Sequence, residues 1–438
     1  MTLATPITVI RGRFLDIQNT VSQAAEITDQ VRYLDDGVMI TEQGKIRWFG
    51  AWEDAQSELP TNVEIQHYPD QLIIPGMIDT HIHFPQTEMV GAYGEQLLSW
   101  LNTYTFPTEI QFQDKAYAQE IAKFFVNELL KNGTTTALVF CTVHPESVDA
   151  LFEAAQQHQM RLIAGKVMMD RHAPEALCDT AASAYDDSKA LIEKWHGQGR
   201  ALYAITPRFA PTSTPEQLEK AGQLKAQFPD VYVHTHLSEN KDEIAWVKDL
   251  FPEQKGYLDV YHHYGLTGQR SVFAHCVHLE DAEWQCMHDT DSAIAFCPTS
   301  NLFLGSGLFP LKKTWEQKVK VGLGTDIGAG TSFSLLQTVN EAYKVQQLQG
   351  DKLSAFESLY HATLGGAKAL DLDDKLGNFN IGKEADFVVL NLKATALQQL
   401  RQSRSKSIDD SLFALFTMGD DRNIEATYIY GQKAYSAH

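Results

Sequence analysis

The sequence of 438 residues predicts an α/β protein, a (β/α)8 TIM barrel flanked by a small β-sandwich to which both chain ends contribute. Residues 72–376 alternate apolar strand-like segments with helix-like segments, and eight such units over roughly 250 residues or more are typical of this barrel. Residues 1–71 and 377–438 instead contain short strand-like runs between polar turns. A doubly wound open sheet would show similar alternation and is the alternative fold.

The two terminal segments have the pattern of a small β-domain rather than of βα units. Strand-like runs lie at residues 7–10, 37–41, 45–50, 385–392 and 425–435. Polar turns such as Glu42-Gln43-Gly44 and Tyr430-Gly431-Gln432 interrupt them. We therefore expect both ends of the chain to join in one β-sandwich beside the barrel.

The barrel prediction depends on eight strand-like segments. The first begins at Leu72, is interrupted by Pro75-Gly76 and ends at His83. The other seven cover residues 134–140, 161–169, 201–206, 231–237, 271–277, 292–297 and 319–325. Helix-like segments between them include residues 115–132, 145–158 and 215–228. Active sites of such barrels lie at the C-terminal ends of the strands, so we expect functional residues there.

Composition and charge exclude several classes of protein. Five cysteines without any C-x-x-C pair argue against a disulfide framework or a cysteine zinc site. The net charge of -20 disfavours nucleic acid as a partner, because that affinity comes largely from neutralising phosphates with Lys and Arg. The sequence contains no signal-peptide pattern and no apolar stretch near the roughly 18 residues of a membrane span, so we expect a cytosolic protein without membrane contact. A small neutral or weakly polar substrate fits better.

His81 and His83 end the first predicted barrel strand. Side chains at positions i and i+2 of a strand point to the same face, so both imidazoles project together from its C-terminal end. Two neutral imidazole nitrogens suit a divalent ion such as zinc or iron. An isolated H-x-H is common in surface loops, but the apolar strand before this pair favours a metal site.

Three other predicted strands carry candidate metal ligands at their ends. His236 ends the fifth strand on the same face as His234, His275 lies on the sixth, and Asp326 follows the eighth. Three imidazoles and one carboxylate leave a coordination position for water, which is typical of a catalytic site. We therefore predict one Zn²⁺ per subunit, with Fe²⁺ as the alternative, bound by His81, His83, His236 and Asp326.

Glu239 is the candidate proton shuttle of this site. Zinc lowers the pKa of bound water to about 7, so hydroxide becomes available at neutral pH. Glu239 lies three residues after His236, before a helix predicted over residues 240–250, so its carboxylate can reach the metal-bound water without binding the metal. The alternative is that Glu239 is only an acidic residue near the N-terminus of that helix, where the helix dipole stabilises a negative charge.

Several stretches together are similar to one known family. The stretches P-G-M-I-D-T-H-I-H-F-P-Q (75–86) and G-L-G-T-D-I-G-A-G-T (322–331) are typical of the amidohydrolase superfamily. More specific motifs are I-T-P-R-F-A-P-T-S (205–213), H-T-H-L-S-E-N (234–240) and P-T-S-N-L-F-L-G-S-G (298–307), and the stretches 90–101 and 273–279 also match. Over essentially its full length, the chain resembles the guanine deaminase family within that superfamily.

The resemblance implies hydrolysis of guanine to xanthine and ammonia, a step of purine catabolism and salvage. On the family pattern Glu239 relays protons, and the residues that bind zinc are His81, His83, His236 and Asp326. Guanine would be held by Gln86, Arg208 and Phe209 and would face His83, His236, Glu239 and Asp326. The family also suggests a homodimer.

The chemistry of these side chains agrees with the implied reaction. Asp326 can take a proton from water and assist the departure of ammonia, while His275 can donate to charge that develops near the metal. Arg208 is a planar group with several donors and suits the acceptors of a purine. Gln86 offers both a donor and an acceptor, and Phe209 offers a stacking face.

One metal rather than two is expected. Two-metal amidohydrolases carry a carboxylated lysine on the fourth strand, which here ends Ala204-Ile205-Thr206-Pro207-Arg208-Phe209. Lys166 falls on the third strand by our count, so we interpret it as structural.

Two alternatives stay open at the level of sequence. A related amidohydrolase could deaminate another aminated heterocycle, such as a triazine, cytosine or a thiomethyladenosine-like nucleoside. The metal ligands could not distinguish these substrates, whereas Gln86, Arg208 and Phe209 should. A barrel without metal could serve as a scaffold, but the presence of all four ligands and Glu239 argues against that.

Overall fold

The computed structural model describes residues 7–61, 63–93 and 97–437. Residues 1–6 of the predicted N-terminal segment, and residues 94–96 of the matching stretch 90–101, lie outside the described residues. The strands of the described ranges are β1 (Thr8–Ile17), β2 (Val31–Glu42), β3 (Lys45–Ala51), β4 (Ile65–Pro75), β5 (Met77–His83), β6 (Thr134–Phe140), β7 (Arg161–Gly165), β8 (Val167–Met168), β9 (Ala201–Pro207), β10 (Tyr232–Leu237), β11 (Ser271–His275), β12 (Ala293–Phe296), β13 (Lys320–Leu323), β14 (Phe387–Leu390), β15 (Ile424–Ile429) and β16 (Gln432–Ser436).

The helices of the same ranges are α1 (Leu97–Trp100), α2 (Phe106–Glu109), α3 (Lys115–Lys131), α4 (Pro145–Gln157), α5 (Ala181–Trp195), α6 (Pro215–Gln227), α7 (Lys241–Leu250), α8 (Tyr257–His263), α9 (Asp281–Asp289), α10 (Pro298–Phe303), α11 (Leu311–Glu316), α12 (Leu335–Leu348), α13 (Ala355–Ala362), α14 (Leu364–Ala369), α15 (Ala396–Gln402) and α16 (Ile408–Met418). A π-helical turn, Leu101–Thr105, joins α1 to α2. None of these helices is both long and apolar enough to cross a lipid bilayer.

The barrel consists of parallel strands in the order β13-β12-β11-β10-β9-β7-β6-β5, and the short β8 extends the edge of β9. The first and last strands meet at the closing seam. Thr80 on β5 donates its hydroxyl to the carbonyl of Leu323 on β13 (3.0 Å), and Asp79 accepts the N–H and hydroxyl of Thr325. Because the two edges meet, the (β/α)8 prediction is confirmed and the open sheet is excluded.

The second sheet joins both chain ends, as predicted, in the order β16-β15-β14-β4-β1-β2-β3. Its strands form one continuous sheet instead of two stacked ones. The sheet curls, since the N–H of Ile46 on β3 donates to the carbonyl of Lys383 just before β14. One face buries a common cluster from both ends, which includes Phe14, Ile73, Phe387 and Tyr428. Alternation along a strand predicts which face is buried but not which strands are neighbours.

The sequence placed residues 72–74 in the first barrel strand, and this assignment is wrong. They belong to β4, which pairs with β14 in the terminal sheet, and the barrel strand β5 begins at Met77. Gly76 allows the passage between the sheets, because a Cβ there would lie 2.0 Å from the hydroxyl of Thr135. Both segments are apolar because both are buried, so hydrophobicity alone could not separate them. The proposed domain limits at 71/72 and 376/377 stay predictions.

The barrel interior beneath the mouth is filled by side chains. The cluster includes Ile78, Leu138, Ile163, Ala204 and Tyr232, and α14 closes the N-terminal end of the barrel. The hydroxyl of Tyr232 donates to the carbonyl of Leu370, which follows α14, at 2.6 Å. This hydrogen bond ties the fifth barrel strand to the helix that closes the barrel.

Replacing Tyr232 by Phe should lower the free energy of unfolding by about 1–3 kcal/mol, because the buried carbonyl of Leu370 would lose its donor. Thermal unfolding of the purified variant measures this loss. Tyr33→Phe is the matched control, since the Tyr33 hydroxyl donates to Asp35 at the exposed surface, and its effect should stay within about 0.5 kcal/mol. Equal unfolding temperatures for the two variants would contradict the prediction.

Candidate active site

The predicted functional residues lie together at the C-terminal mouth of the barrel. His81 and His83 end β5, His236 lies near the end of β10, His275 ends β11, and Asp326 follows β13 in the loop. Parallel strands in a closed barrel end at the same face, so residues far apart in sequence meet there.

Four side-chain atoms are spaced like the ligands of a single cation. Oδ1 of Asp326 lies 3.1 Å from Nε2 of His81 and 3.3 Å from Nε2 of His83. Nε2 of His83 lies 3.2 Å from Nε2 of His236. Tetrahedral ligands about 2.0–2.1 Å from zinc would be separated by about 3.3–3.4 Å. The arrangement therefore fits one divalent ion.

The protonation of the histidines also fits a cation. Burial, and next the charges of neighbouring groups, hold the pKa values of His81, His83 and His236 well below the usual value, so these imidazoles are neutral. Nε2 of His81 is buried without a hydrogen-bond partner among the described residues. Unprotonated ring nitrogens this close together repel one another, and a shared cation removes that repulsion.

Hydrogen bonds to the other ring nitrogens orient the imidazoles. Nδ1 of His236 lies 2.7 Å from the carbonyl of Arg208. A carbonyl can only accept, so Nδ1 carries the proton and Nε2 keeps its lone pair for a metal. Nδ1 of His81 forms a hydrogen bond with Nε2 of His234 (2.8 Å), and Nδ1 of His275 forms one with the amide oxygen of Asn301 (2.9 Å).

Glu239 lies beside this cluster between β10 and α7 and is buried. Burial, and next the charge of Asp326, raises the pKa of Glu239 to about 8. Its Oε1 accepts the hydroxyl of Ser306 at 3.1 Å, and its Oε2 lies 3.5 Å from Nε2 of His275. At neutral pH Glu239 therefore keeps a proton that it can donate.

The loop that carries Glu239 is held by a second buried carboxylate. Oε2 of Glu243 accepts the backbone N–H groups of Glu239 and Asn240, and its Oε1 accepts the hydroxyl of Tyr257 at 2.7 Å. Glu243 thus fixes the position of the Glu239 backbone.

Three residues of the mouth have backbone angles that side-chain-bearing residues rarely adopt. Ser238, His275 and Asp326 have φ values of 49°, 70° and 51°. The left-handed region costs an L-residue roughly 1–2 kcal/mol. Such strain concentrates at functional sites, where the surrounding fold holds the residue in place.

A cleft opens above the cluster of candidate metal ligands. Its apolar wall comes largely from Leu97, Trp100, Leu101, Phe209 and Leu304, and its polar wall includes Gln86 and Arg208. Behind the polar wall, buried Glu109 accepts two N–H groups of Arg208 and the side-chain N–H of Gln86. An apolar wall opposite a few polar side chains suits a small, flat molecule with polar edges.

All of the predicted site residues are therefore in one place, while Lys166 is not among them. The Lys166 ammonium is buried at the break between β7 and β8 and pairs with Asp179. Sequence reasoning missed Glu109, Glu243, Ser306 and the role of His234. No local signal marked Glu109, which stands in the mixed polar and apolar stretch T-F-P-T-E-I-Q-F-Q (105–113).

Comparisons with known proteins give a consistent result. The amidohydrolase family matches residues 72–434. The chain is 62% identical to the guanine deaminase of Escherichia coli (strain K12) over 97% of each chain. The solved E. coli guanine deaminase structure superposes with a TM-score of 0.96 at 59% identity and covers 99% of this chain and 100% of that one. A guanine deaminase from C. acetobutylicum with bound guanine in its active site gives a TM-score of 0.88 at 30% identity, covering 98% and 100%.

Chelator-stripped protein should bind one equivalent of Zn²⁺ and gain about 4 kcal/mol of stability when free zinc is 1,000-fold above its dissociation constant. His236→Ala should remove most of this gain, because it deletes one of four ligand atoms. Metal content and thermal unfolding with and without zinc measure both effects. Exposed His263 on α8 supplies the control, since His263→Ala should bind zinc like the wild type. Stoichiometric binding of undiminished affinity by His236→Ala would contradict the proposed ligand set.

Proposed function

The chain belongs to the amidohydrolase family, and from that premise we propose that it catalyses the hydrolytic deamination of guanine to xanthine and ammonia. One observation carries the proposal. The candidate metal ligands His83, His236 and Asp326, together with Glu239 and the polar wall of Gln86 and Arg208, face the same cleft. The identity to guanine deaminases over nearly the whole chain supports guanine as the substrate.

We propose zinc as the ion, held by His81, His83, His236 and Asp326. Imidazole and carboxylate ligands suit catalytic zinc, and a water molecule would be a fifth ligand beside these four. When bound, the ion would lower the pKa of a water molecule so that hydroxide attacks at neutral pH.

Glu239 and Asp326 have different protonation states, which suits the two proton transfers of the reaction. Because its pKa is about 8, Glu239 is protonated at pH 7 and can donate to the ring nitrogen beside the amino-bearing carbon. Burial raises the pKa of Asp326 only to about 6, so Asp326 is ionised and can accept a proton from the attacking water. The new C–O bond forms, the C–N bond breaks, and the amino group takes up a proton and leaves as ammonia.

The remaining residues hold the substrate and the developing charge. Nε2 of His275 lies 3.5 Å from Glu239 and 3.8 Å from Oδ2 of Asp326. Because Nδ1 donates to the amide oxygen of Asn301, Nε2 accepts in the neutral ring and can donate to negative charge between Glu239 and Asp326 once the ring has taken up a second proton. Arg208 supplies donors for purine acceptors, and buried Phe209 lies in the wall where a purine face would pack.

Further aspects of the proposal are a role in purine catabolism, a cytosolic location and a homodimeric state. They are supported by the family resemblance and by the absence of a bilayer-spanning helix among the described residues.

The zinc-loaded protein should release ammonia from guanine but not from adenine, cytosine or a triazine. An ammonia assay over this panel, with xanthine identified by its absorbance, tests the reaction and the substrate together. Release from another compound alone would keep the metal chemistry and reject guanine as the substrate. No release from any compound by protein with zinc bound would reject the proposed activity.

Glu239→Gln should keep its zinc and lose about 10²–10⁴-fold in kcat, because the amide is similar in size but cannot transfer the proton. Turnover and metal content of the same preparation measure the two effects. Glu280→Gln is the control, as Glu280 is the first residue before α9 and does not line the cavity. Wild-type turnover by Glu239→Gln would show that another group moves the proton.

A further inference from the structure

Glu109 is a buried carboxylate behind the polar wall of the cavity and has no assigned role. It ends α2, and its side chain is 1% exposed. Its Oε2 accepts Nη1–H of Arg208 at 2.7 Å, and its Oε1 accepts Nη2–H of Arg208 at 3.0 Å and Nε2–H of Gln86 at 3.2 Å. Both side chains that offer polar groups to the substrate are therefore held by one carboxylate.

This contact decides which atoms Gln86 presents to the cavity. A glutamine amide can face a ligand with its oxygen, which accepts, or with its nitrogen, which donates. An ionised carboxylate only accepts, so Gln86 must turn its NH₂ group toward Glu109. Its Oε1 atom is then the end left for a ligand. Gly328 makes room for that oxygen, because a Cβ at position 328 would lie 1.9 Å from it.

The same contact orients Arg208. Glu109 takes one N–H from each terminal nitrogen, and no other acceptor in the described part of the chain takes an Arg208 side-chain N–H. The free N–H groups of the planar guanidinium are thus held in a fixed direction. Glu109 also neutralises the buried Arg208 cation, which lines the same cleft as the candidate metal ligands, and an unpaired charge there would be costly.

We propose that Glu109 is the positioning residue that sets the substrate specificity of this cavity, an inference that rests on the proposed function. Held by Glu109, the wall presents one acceptor from Gln86 and several donors from Arg208. Guanine matches this pattern, with an N–H at ring position 1 beside the acceptors O6 and N7. Arginine commonly donates to that acceptor pair in guanine, whereas adenine has a donor in place of O6.

Glu109→Gln tests the inference. A neutral amide at position 109 can turn either end toward Gln86, so Gln86 is no longer forced to present its oxygen. The variant should lose on the order of 100-fold in kcat/KM for guanine, mainly through KM, because small displacements of positioning groups have effects of this size. Its zinc content should equal that of the wild type. Turnover of 2-aminopurine, which lacks both O6 and the N–H at position 1, should change far less.

Glu384→Gln is the matched control. Glu384 accepts hydrogen bonds from Arg161 and Arg200 in another largely buried ion pair, remote from the cavity. This variant should lose stability and keep the wild-type kcat/KM. A double variant, Glu109→Gln with Arg208→Ala, should lose less toward guanine than the product of the two single losses, because the part of the Glu109 effect that acts through Arg208 is already absent from Arg208→Ala.

The outcomes separate the two proposals. The role of Glu109 would be overturned if the wild type turns over guanine and Glu109→Gln keeps the wild-type ratio of kcat/KM for guanine to kcat/KM for 2-aminopurine. Additive losses in the double variant would also overturn it. No guanine turnover by the zinc-loaded wild type would instead overturn the proposed function, and this inference with it. If Glu109→Gln does not fold, Glu109→Asp replaces it in the test. Its shorter carboxylate should lower the ratio of kcat/KM for guanine to kcat/KM for 2-aminopurine by a smaller factor.

Discussion

The site depends on one geometric constraint, the parallel closure of the barrel. Because all barrel strands run in the same direction and the first meets the last, their C-terminal ends form a single ring. That ring brings His81 within 2.8 Å of His234, although 153 residues separate them in sequence. At the same seam Thr325 donates two hydrogen bonds to Asp79. These bonds hold the segment that carries His81 against the segment that carries Asp326, and they involve neither of those two side chains.

The mouth of the barrel concentrates unfavourable features that the rest of the fold offsets. Neutral imidazoles lie against a carboxylate, Glu239 is buried with a raised pKa, and His275 and Asp326 have left-handed backbone angles. Beneath them the interior is filled with apolar side chains, and α14 closes the opposite end. A cation at the mouth would remove much of the repulsion, so metal binding would stabilise the folded protein.

The polar wall of the cavity has a second layer. Arg208 and Gln86 line the cavity, but Glu109 behind them decides the direction of their hydrogen bonds. In the same way, Glu243 holds the backbone of Glu239 and is not itself one of the candidate metal ligands. Two buried carboxylates thus accept hydrogen bonds from residues that face the cavity, and under the proposed function both substrate specificity and proton transfer would depend on them.

The alternating strand and helix pattern predicted the barrel, the short terminal strands predicted the joint terminal sheet, and the strand-end histidines predicted where the candidate metal ligands lie, because all three are local signals. The sequence could not decide where β4 ends and β5 begins, since both are buried and equally apolar. Only the tertiary structure decided that Glu109 holds Arg208, across 99 residues, and that Lys166 pairs with Asp179 away from the site. Such contacts depend on how helices and loops pack over the barrel, and no local pattern in the sequence encodes that packing.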